Sequence, residues 1–352
     1  MDVRGNASPG SAPVIALEQA RKAFGGQVVL QDLSLSVGMG EIFGLIGPSG
    51  SGKSTTIHLL CGHLRPSGGA VRVFGQVPTR LDRATKRRIG YLPQGFVLYP
   101  DLTVRQNVAF VAGLYGLSEW RHRRRIRETL ELVQLWDARN RPARAVSGGM
   151  QRRIALAASL VHDPDLLCVD EPTANLDPIL RAHLWEHFRA LRVRGRTLLV
   201  TTQYVDEAEY CDRVGLMYGG RLIATGHPSE LRRSAFGGDL IDLVVERPQS
   251  TYAAALGAVP GVSAAETQKD ESLRVTVDDA GRALPELLAA LESAGATVRS
   301  ISQYQPTFDE VFIRLIEDQG VARSIVGGLR RVAAERDMPA RPGGDPADGE
   351  RP

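Results

Sequence analysis

Glu41-Ile42-Phe43-Gly44-Leu45-Ile46-Gly47-Pro48-Ser49-Gly50-Ser51-Gly52-Lys53-Ser54 is the stretch on which the reading of the fold turns. Its first six residues read as a buried strand, and a helical pattern runs from Lys53 to Leu64. The turn between them, Gly47 to Ser54, has the form G-x-x-x-x-G-K-[ST]. Glycines without a Cβ let successive backbone N–H groups point inward around phosphate oxygens. Lys53 would then reach the β- and γ-phosphates of a nucleotide, the Ser54 hydroxyl would bind Mg2+, and the start of the helix adds its positive dipole end. A chance lysine in a glycine turn would lack this context of a strand before and a helix after.

Outward from this loop, short β-branched and apolar runs alternate with helical patterns from about Val14 to Ala235, which reads as α/β. Leu166-Leu167-Cys168-Val169 is a second buried strand and ends on Asp170-Glu171; Thr197 to Thr201 is a third, after a helix around Arg181 to Arg192. An acidic pair at a strand end is often a solvated loop. Beside a phosphate loop it has work to do: Asp170 can hold the Mg2+ shell, and Glu171 can orient and deprotonate an attacking water. Between Pro100 and Leu160 the strand signals vanish. Helical periodicity from Val104 to Leu117 and from Glu119 to Leu135 marks an all-helical insertion, about residues 100–160.

Gly237-Gly238 breaks the pattern, and a smaller unit follows over residues 239–317. Strand Asp239–Arg247, helix Thr251–Ala258, strands Gly261–Thr267 and Ser272–Val277, helix Leu284–Ala294 and strand Thr297–Gln303 give the β-α-β-β-α-β order of an α+β ferredoxin-like module. A last amphipathic helix, Phe308 to Ile316, is expected to cover it. Residues 1–13 and 318–352 are rich in Gly, Pro, Arg, Ser and Asp and read as a disordered arm and a largely disordered tail.

With these elements in place the chain resembles a known family, the ATP-binding-cassette (ABC) ATPases, over about Val14 to Leu231. Gln94 in Tyr91-Leu92-Pro93-Gln94 looks like the family's Q-loop glutamine, which also attends the metal. Ser147-Gly148-Gly149-Met150-Gln151 resembles the signature motif, Leu166 to Glu171 the Walker B strand, and Asn175-Leu176-Asp177 the D-loop. Phe24 stands where the family places a ring that stacks on adenine. The resemblance implies a P-loop NTPase (RecA-like) cassette holding ATP and Mg2+, with Pro48, Ser49, Gly50, Ser51, Gly52 and Thr55 lining the phosphates beside Gly47, Lys53 and Ser54. It implies a head-to-tail homodimer in which Ser147, Gly148 and Gly149, with Asp177, close on the nucleotide of the other copy. Ser-Gly-Gly at a helix start offers free N–H donors and a hydroxyl to an anion, so the geometry is reasonable on its own terms.

The sequence departs from the family in two places. Val146 replaces the usual leucine of the signature, and Met150 the usual glutamine, with Gln151 one place later; neither touches Ser-Gly-Gly. Gln203, in Thr201-Thr202-Gln203-Tyr204, stands where the family has a histidine at the γ-phosphate. A carboxamide can donate and accept as neutral imidazole does, but it takes up no proton near neutral pH. Glutamine here, the run Glu207 to Arg213 and a small C-terminal domain resemble the daunorubicin-resistance-type exporters, with a separately encoded permease as partner. The alternative is a soluble ABC ATPase acting on ribosomes or DNA, but the chain shows one cassette and no heptad run.

Composition agrees with this picture. A net charge of +3 over 352 residues does not suggest the concentrated basic surface of a nucleic-acid binder, and no apolar run approaches the ~20 residues that span a bilayer. The chain is expected in the cytoplasm, held at the inner face of the membrane through the permease. Cys61, Cys168 and Cys211 form no CxxC pair and read as reduced thiols. The arginines from Arg121 to Arg127 read as a solvated helix face, with acidic lipid headgroups as the rival partner. His183 and His187 lack a third metal ligand, and His162 reads as a helix-end residue with a capping role.

Overall fold

The computed structural model describes residues 12–95, 98–116, 119–174, 176–247, 250–268 and 270–318. In chain order the strands are β1 (Ile15–Phe24), β2 (Gln27–Val37), β3 (Ile42–Ile46), β4 (Gly68–Val73), β5 (Ile89–Leu92), β6 (Leu166–Asp170), β7 (Thr197–Thr202), β8 (Arg213–Tyr218), β9 (Arg221–Gly226), β10 (Asp239–Val245), β11 (Val262–Thr267), β12 (Leu273–Val277) and β13 (Val298–Tyr304). The helices are α1 (Lys53–Leu60), α2 (Arg83–Arg87), α3 (Val104–Leu114), α4 (Glu119–Leu132), α5 (Gly148–Leu160), α6 (Pro178–Val193), α7 (Pro228–Phe236), α8 (Ser250–Gly257), α9 (Ala280–Ser293) and α10 (Phe308–Asp318).

A six-stranded sheet of order β5-β6-β7-β3-β8-β9 forms the centre, parallel except for the edge pair β8–β9. Every residue of β3, β6 and β7 is buried, which is why these strands are continuous apolar runs rather than alternating ones. A second sheet, antiparallel β2-β1-β4, packs with α1 against one face around Leu30, Phe43, Leu45 and Ile57. On the other face α5 and α6 press Ile154, Leu156, Trp185 and Phe188 onto Leu167, Val169 and Val200. The helical insertion holds α3, α4 and α5, joined through Val104, Val108 and Leu130 to the same core. Thr103 opens α3 with a capping box closed by Gln106, and Asp177 opens α6 with Pro178 in its first turn, so both start where the sequence offers a cap. α1 ends at Leu60, four residues short of the expected Leu64.

The C-terminal strands form an antiparallel sheet of order β11-β12-β10-β13, with α8 and α9 against it around Leu243, Leu256, Val275 and Leu287. This is the strand order of a ferredoxin-like module. One expectation is corrected. α10 does not cover this sheet: Phe308, Val311, Phe312 and Ile316 are buried in the cassette's core cluster, together with Leu231 and Ala235 of α7. The small module already has α8 and α9 on its apolar face, whereas α7 and the 3-10 turn Val205–Tyr210 leave a groove that the apolar stripe of α10 fills. Arg232 of α7 fixes the entry, donating from Nε to the Pro306 carbonyl at 3.0 Å, lying over the Phe308 ring and pairing with Glu209.

His162 is a second correction. It is buried, its Nε2 lies 3.0 Å from the Ile89 carbonyl oxygen, and its ring stacks on Tyr115 with centroids 3.6 Å apart. It is a core residue that joins the helical insertion to the sheet. The arginine run of α4 makes ion pairs along the helix, Arg124 and Arg125 with Glu128 and Arg127 with Glu131, but Arg125 also reaches the Leu160 and Val161 carbonyls at the end of α5. The three cysteines are free thiols, with Cys168 and Cys211 buried. No helix among the described residues is long and apolar enough to cross a membrane.

Candidate nucleotide site

β3 runs straight into the phosphate loop. Gly47 donates its N–H to the Thr202 carbonyl at 3.2 Å, so the loop opens beside the end of β7, where Gln203 stands exposed. Gly52 closes the turn at φ 103° as the residue before α1. A Cβ there would lie 2.5 Å from Leu30 Cδ2 and 3.2 Å from the Val29 carbonyl of β2, so dihedral and surroundings both require glycine. Ser49 and Gly50 are exposed at the tip, and Pro48, Ser54 and Thr55 are half-buried. Ser51 is buried, and its hydroxyl has no hydrogen-bond partner among the described residues. An orphaned hydroxyl in this loop fits a site shaped for an external partner.

Lys53 is only 3% exposed. Its Nζ donates to the Gly47 and Pro48 carbonyls at 2.8 and 3.0 Å and lies 3.3 Å from Glu171 Oε1. The ammonium therefore sits between the loop and the carboxylate that follows β6. Ser54 Oγ donates to Asp170 Oδ1 at 3.1 Å, and Thr201 Oγ1 donates to the same oxygen at 2.6 Å. A hydroxyl and a carboxylate side by side form an all-oxygen donor set that suits a hard divalent cation, so the residues present fit Mg2+.

Glu171 has φ 43°, in the left-handed region that costs a non-glycine residue ~1–3 kcal/mol. Its surroundings impose the shape. Its N–H donates to the Thr201 carbonyl at 3.1 Å and to Thr201 Oγ1 at 3.0 Å, while Arg152 Nη2 donates to its carbonyl at 3.0 Å. The side chain is 11% exposed, and Gln94 Nε2 donates to its Oε2 at 2.9 Å. Gln94, Lys53, Ser54, Asp170 and Glu171, far apart in the chain, thus meet at the carboxyl ends of the parallel strands, where α/β sheets bind ligands.

The serine-glycine-glycine stretch lies across a cleft of about 410 Å³ that Gln94, Glu171, Gly148, Gly149, Arg152 and Asp177 help to line. Ser147 caps α5, its Oγ accepting from the Met150 N–H at 3.3 Å, and is exposed together with Gly148. A Cβ on Gly149 would lie 2.6 Å from Leu180 Cδ1 of α6, so Gly149 lets that side chain pack close to α5. A Cβ on Gly148 would meet nothing within 4 Å. Asp177 Oδ1 accepts from the Ile179 and Leu180 N–H groups, both at 3.0 Å, so within the chain its carboxylate caps α6. Its expected neighbour Asn175 lies outside the described residues. Phe24 ends β1 at 46% exposure, with Lys22 Nζ 4.8 Å from its ring centroid.

Sequence reasoning missed Arg152, Thr201 and Glu207. Arg152 reads as one more charged residue of a helix face and Thr201 as one more β-branched strand residue. Glu207 is fully buried, accepts from Thr173 Oγ1 at 3.1 Å and lies 3.6 Å from Arg181 Nε; burial pushes its pKa up. Nothing in the run Glu207-Ala208-Glu209 separates the buried glutamate from the exposed one.

A lysine, a carboxylate pair and a glutamine gathered this way make a P-loop cassette that hydrolyses nucleotides. Comparison with known proteins agrees. The family profile described as ABC transporter matches residues 30–174, and that of the ATP-binding protein DrrA1-3-like C-terminal domain matches residues 226–316. The chain is 38% identical over 305 residues to the daunorubicin resistance ATP-binding protein DrrA3 of Streptomyces coeruleorubidus, covering 86% of this chain and 96% of that one. It is 33% identical over 305 residues to the linearmycin resistance ATP-binding protein LnrL of Bacillus subtilis, covering 86% and 98%. Among solved structures, the ATP-binding subunit of an ABC transporter superposes with a TM-score of 0.58 at 30% identity, over 64% of this chain and 93% of that one. The ATP-binding cassette MJ0796, solved as a dimer in a post-hydrolysis state bound to ADP and Pi, superposes at 0.55 and 27% identity, over 60% and 98%. The chain belongs to the ATP-binding proteins of ABC transporters, in the branch of the daunorubicin-resistance ATP-binding proteins, and is an ATPase.

Proposed function

We propose that this chain energises export of a drug-like or lipid-like compound through a separately encoded membrane permease, working as a homodimer with ATP and Mg2+ at each site. The observation that carries this reading is the likeness to resistance proteins along the cassette and the small C-terminal module together, since relatives matched on both are named for drug resistance. In this reading the cassette spans residues 14–235 and the accessory module 239–317, whose last helix, α10, packs on the cassette.

Within the site, N–H groups of the loop after Pro48 hold the phosphates and Lys53 reaches the β- and γ-phosphates. Ser54 and Asp170, assisted by Gln94, would hold Mg2+, which would supply neutralising charge to the phosphate oxygens. Glu171 accepts the proton of the attacking water, with Gln94 and Lys53 orienting its two carboxylate oxygens. Gln203, beside the loop opening, donates a carboxamide N–H toward the γ-phosphate, and Phe24 stacks on the adenine. Ser147, Gly148 and Gly149 of the partner copy close the site from the other side, with Asp177 at the dimer seam. The open space beside Gly148 supports this: a glycine that packing does not demand leaves room for an anion to approach α5.

Coexpression with its permease partner tests the function. Inside-out vesicles carrying both should accumulate an anthracycline dye on addition of Mg-ATP, and vesicles with Lys53→Ala should not. Recovery of the chain in the ribosomal fraction, with no permease-dependent transport, would contradict the proposal.

A further inference from the structure

The residue outside the expected set that touches most of the site is Arg152. It is the fifth residue of α5, the helix that Ser147 caps, and its guanidinium leaves that helix to reach between the two loops that carry Gln94 and Glu171. Nη1 donates to the Pro93 and Gln94 carbonyls at 3.1 and 2.9 Å. Nη2 donates to the Asp170 and Glu171 carbonyls at 3.3 and 3.0 Å, and Nε to the Pro172 carbonyl at 3.0 Å. All five N–H donors of the fork are thus placed on five backbone carbonyls of the two loops. Among the described residues no carboxylate pairs with it directly. Burial lowers its pKa, and the Asp170 charge opposes that.

We propose that Arg152 is a positioning residue that makes the alignment of the Gln94–Glu171 pair depend on where α5 sits, and so on what its exposed N-terminus has bound. This rests on the reading of Glu171 as the base. Glu171 holds a left-handed backbone, fixed at its N–H by Thr201 and at its carbonyl by Arg152. Gln94, which orients the Glu171 carboxylate, has its own carbonyl on the same guanidinium. A shift of α5 moves the guanidinium and therefore both backbones at once. An anion engaging Ser147 and Gly148 at one end of the helix thereby acts on the water-activating pair of the same chain. Lysine cannot substitute, because its three donors radiate from one atom and do not span two loops.

The test uses the full-length chain, with ATP turnover and equilibrium binding of a fluorescent ATP analogue measured for Arg152→Met, Arg152→Lys and Glu171→Gln, and for Arg152→Met combined with Glu171→Gln. Misplacement of a catalytic group by an ångström costs ~10²-fold. Arg152→Met should therefore lower kcat by about 10²-fold with KM and analogue affinity within about threefold. Lysine should recover only a minor part. In the combined variant the loss should not multiply, since Arg152 acts through Glu171. Unchanged kcat in either Arg152 variant, a loss confined to KM, or multiplying effects would overturn the proposal. If Arg152→Met does not fold, Arg152→Lys carries the same kcat-against-KM reading. Glu171→Gln alone reads the base: normal turnover there, with kcat lowered by Arg152→Met, would overturn the assignment of Glu171 and leave the clamp acting through Gln94.

Discussion

In the proposed mechanism Glu171 and Gln203 are the residues whose chemistry is most open to test. The Glu171 carboxylate is held by Gln94 and Lys53, so replacing it by glutamine leaves the phosphate contacts in place and removes the proton acceptor. Turnover of Glu171→Gln should fall ~10²–10⁴-fold with nucleotide affinity retained, measured by phosphate release and analogue binding; normal turnover would show that the base lies elsewhere. Lys53→Ala should weaken nucleotide binding itself. At Gln203 a carboxamide can supply a donor to phosphate without titrating. Gln203→Ala should cripple hydrolysis, and Gln203→His should be tolerated and acquire a loss of activity below about pH 6.5. Gln203→Ala with full turnover would remove that residue from the mechanism. The loop, Asp170 and Glu171 were legible because their chemistry fixes both residue type and spacing. Arg152 was not, because its partners are carbonyls, and any residue supplies a carbonyl.

Among the elements, β3, β6 and β7 were readable as short apolar runs but their order in the sheet was not, and the ferredoxin-like order was readable because its periods switch cleanly from helix to strand. The fate of α10 was not. An apolar stripe at Phe308, Val311, Phe312 and Ile316 says that the helix is covered, but not by what, since two apolar surfaces compete for it. Its place on α7 and on the turn just beyond Gln203 makes the C-terminal segment part of the cassette's own core. Phe312→Ala should cost ~3–5 kcal/mol. Hydrogen exchange should show protection lost over residues 205–210 and 228–236, with β10 to β13 unaffected. Loss confined to the small sheet would contradict this packing. Helix ends were the least legible: α1 and α3 stop short of their apolar periodicity, as tertiary contacts rather than pattern set the last turn.

At the scale of the molecule, the helical insertion is tied to the sheet by His162, whose ionisation is coupled to folding. Burial holds the His162 pKa down at about 4 against an ordinary 6.5, and burial also lowers that of His187. As pH falls below 6.5 the unfolded chain takes up protons that the folded chain refuses, so stability is full above 6.5 and is lost as pH falls toward 4. The melting temperature should therefore drop between pH 7.5 and 5, and His162→Phe, which keeps a ring against Tyr115, should show a smaller drop. An identical drop would mean that His162 titrates normally.

The wider account is that nucleotide held by Lys53 and its loop in one copy joins that copy to Ser147 and Gly148 of another, and that Glu171 ends the union by hydrolysis. Sedimentation of the full-length Glu171→Gln protein with and without Mg-ATP reads this directly. A shift from monomer to dimer on addition of Mg-ATP, abolished when Lys53→Ala is added, is the expected result; a sedimentation coefficient indifferent to saturating Mg-ATP would contradict it.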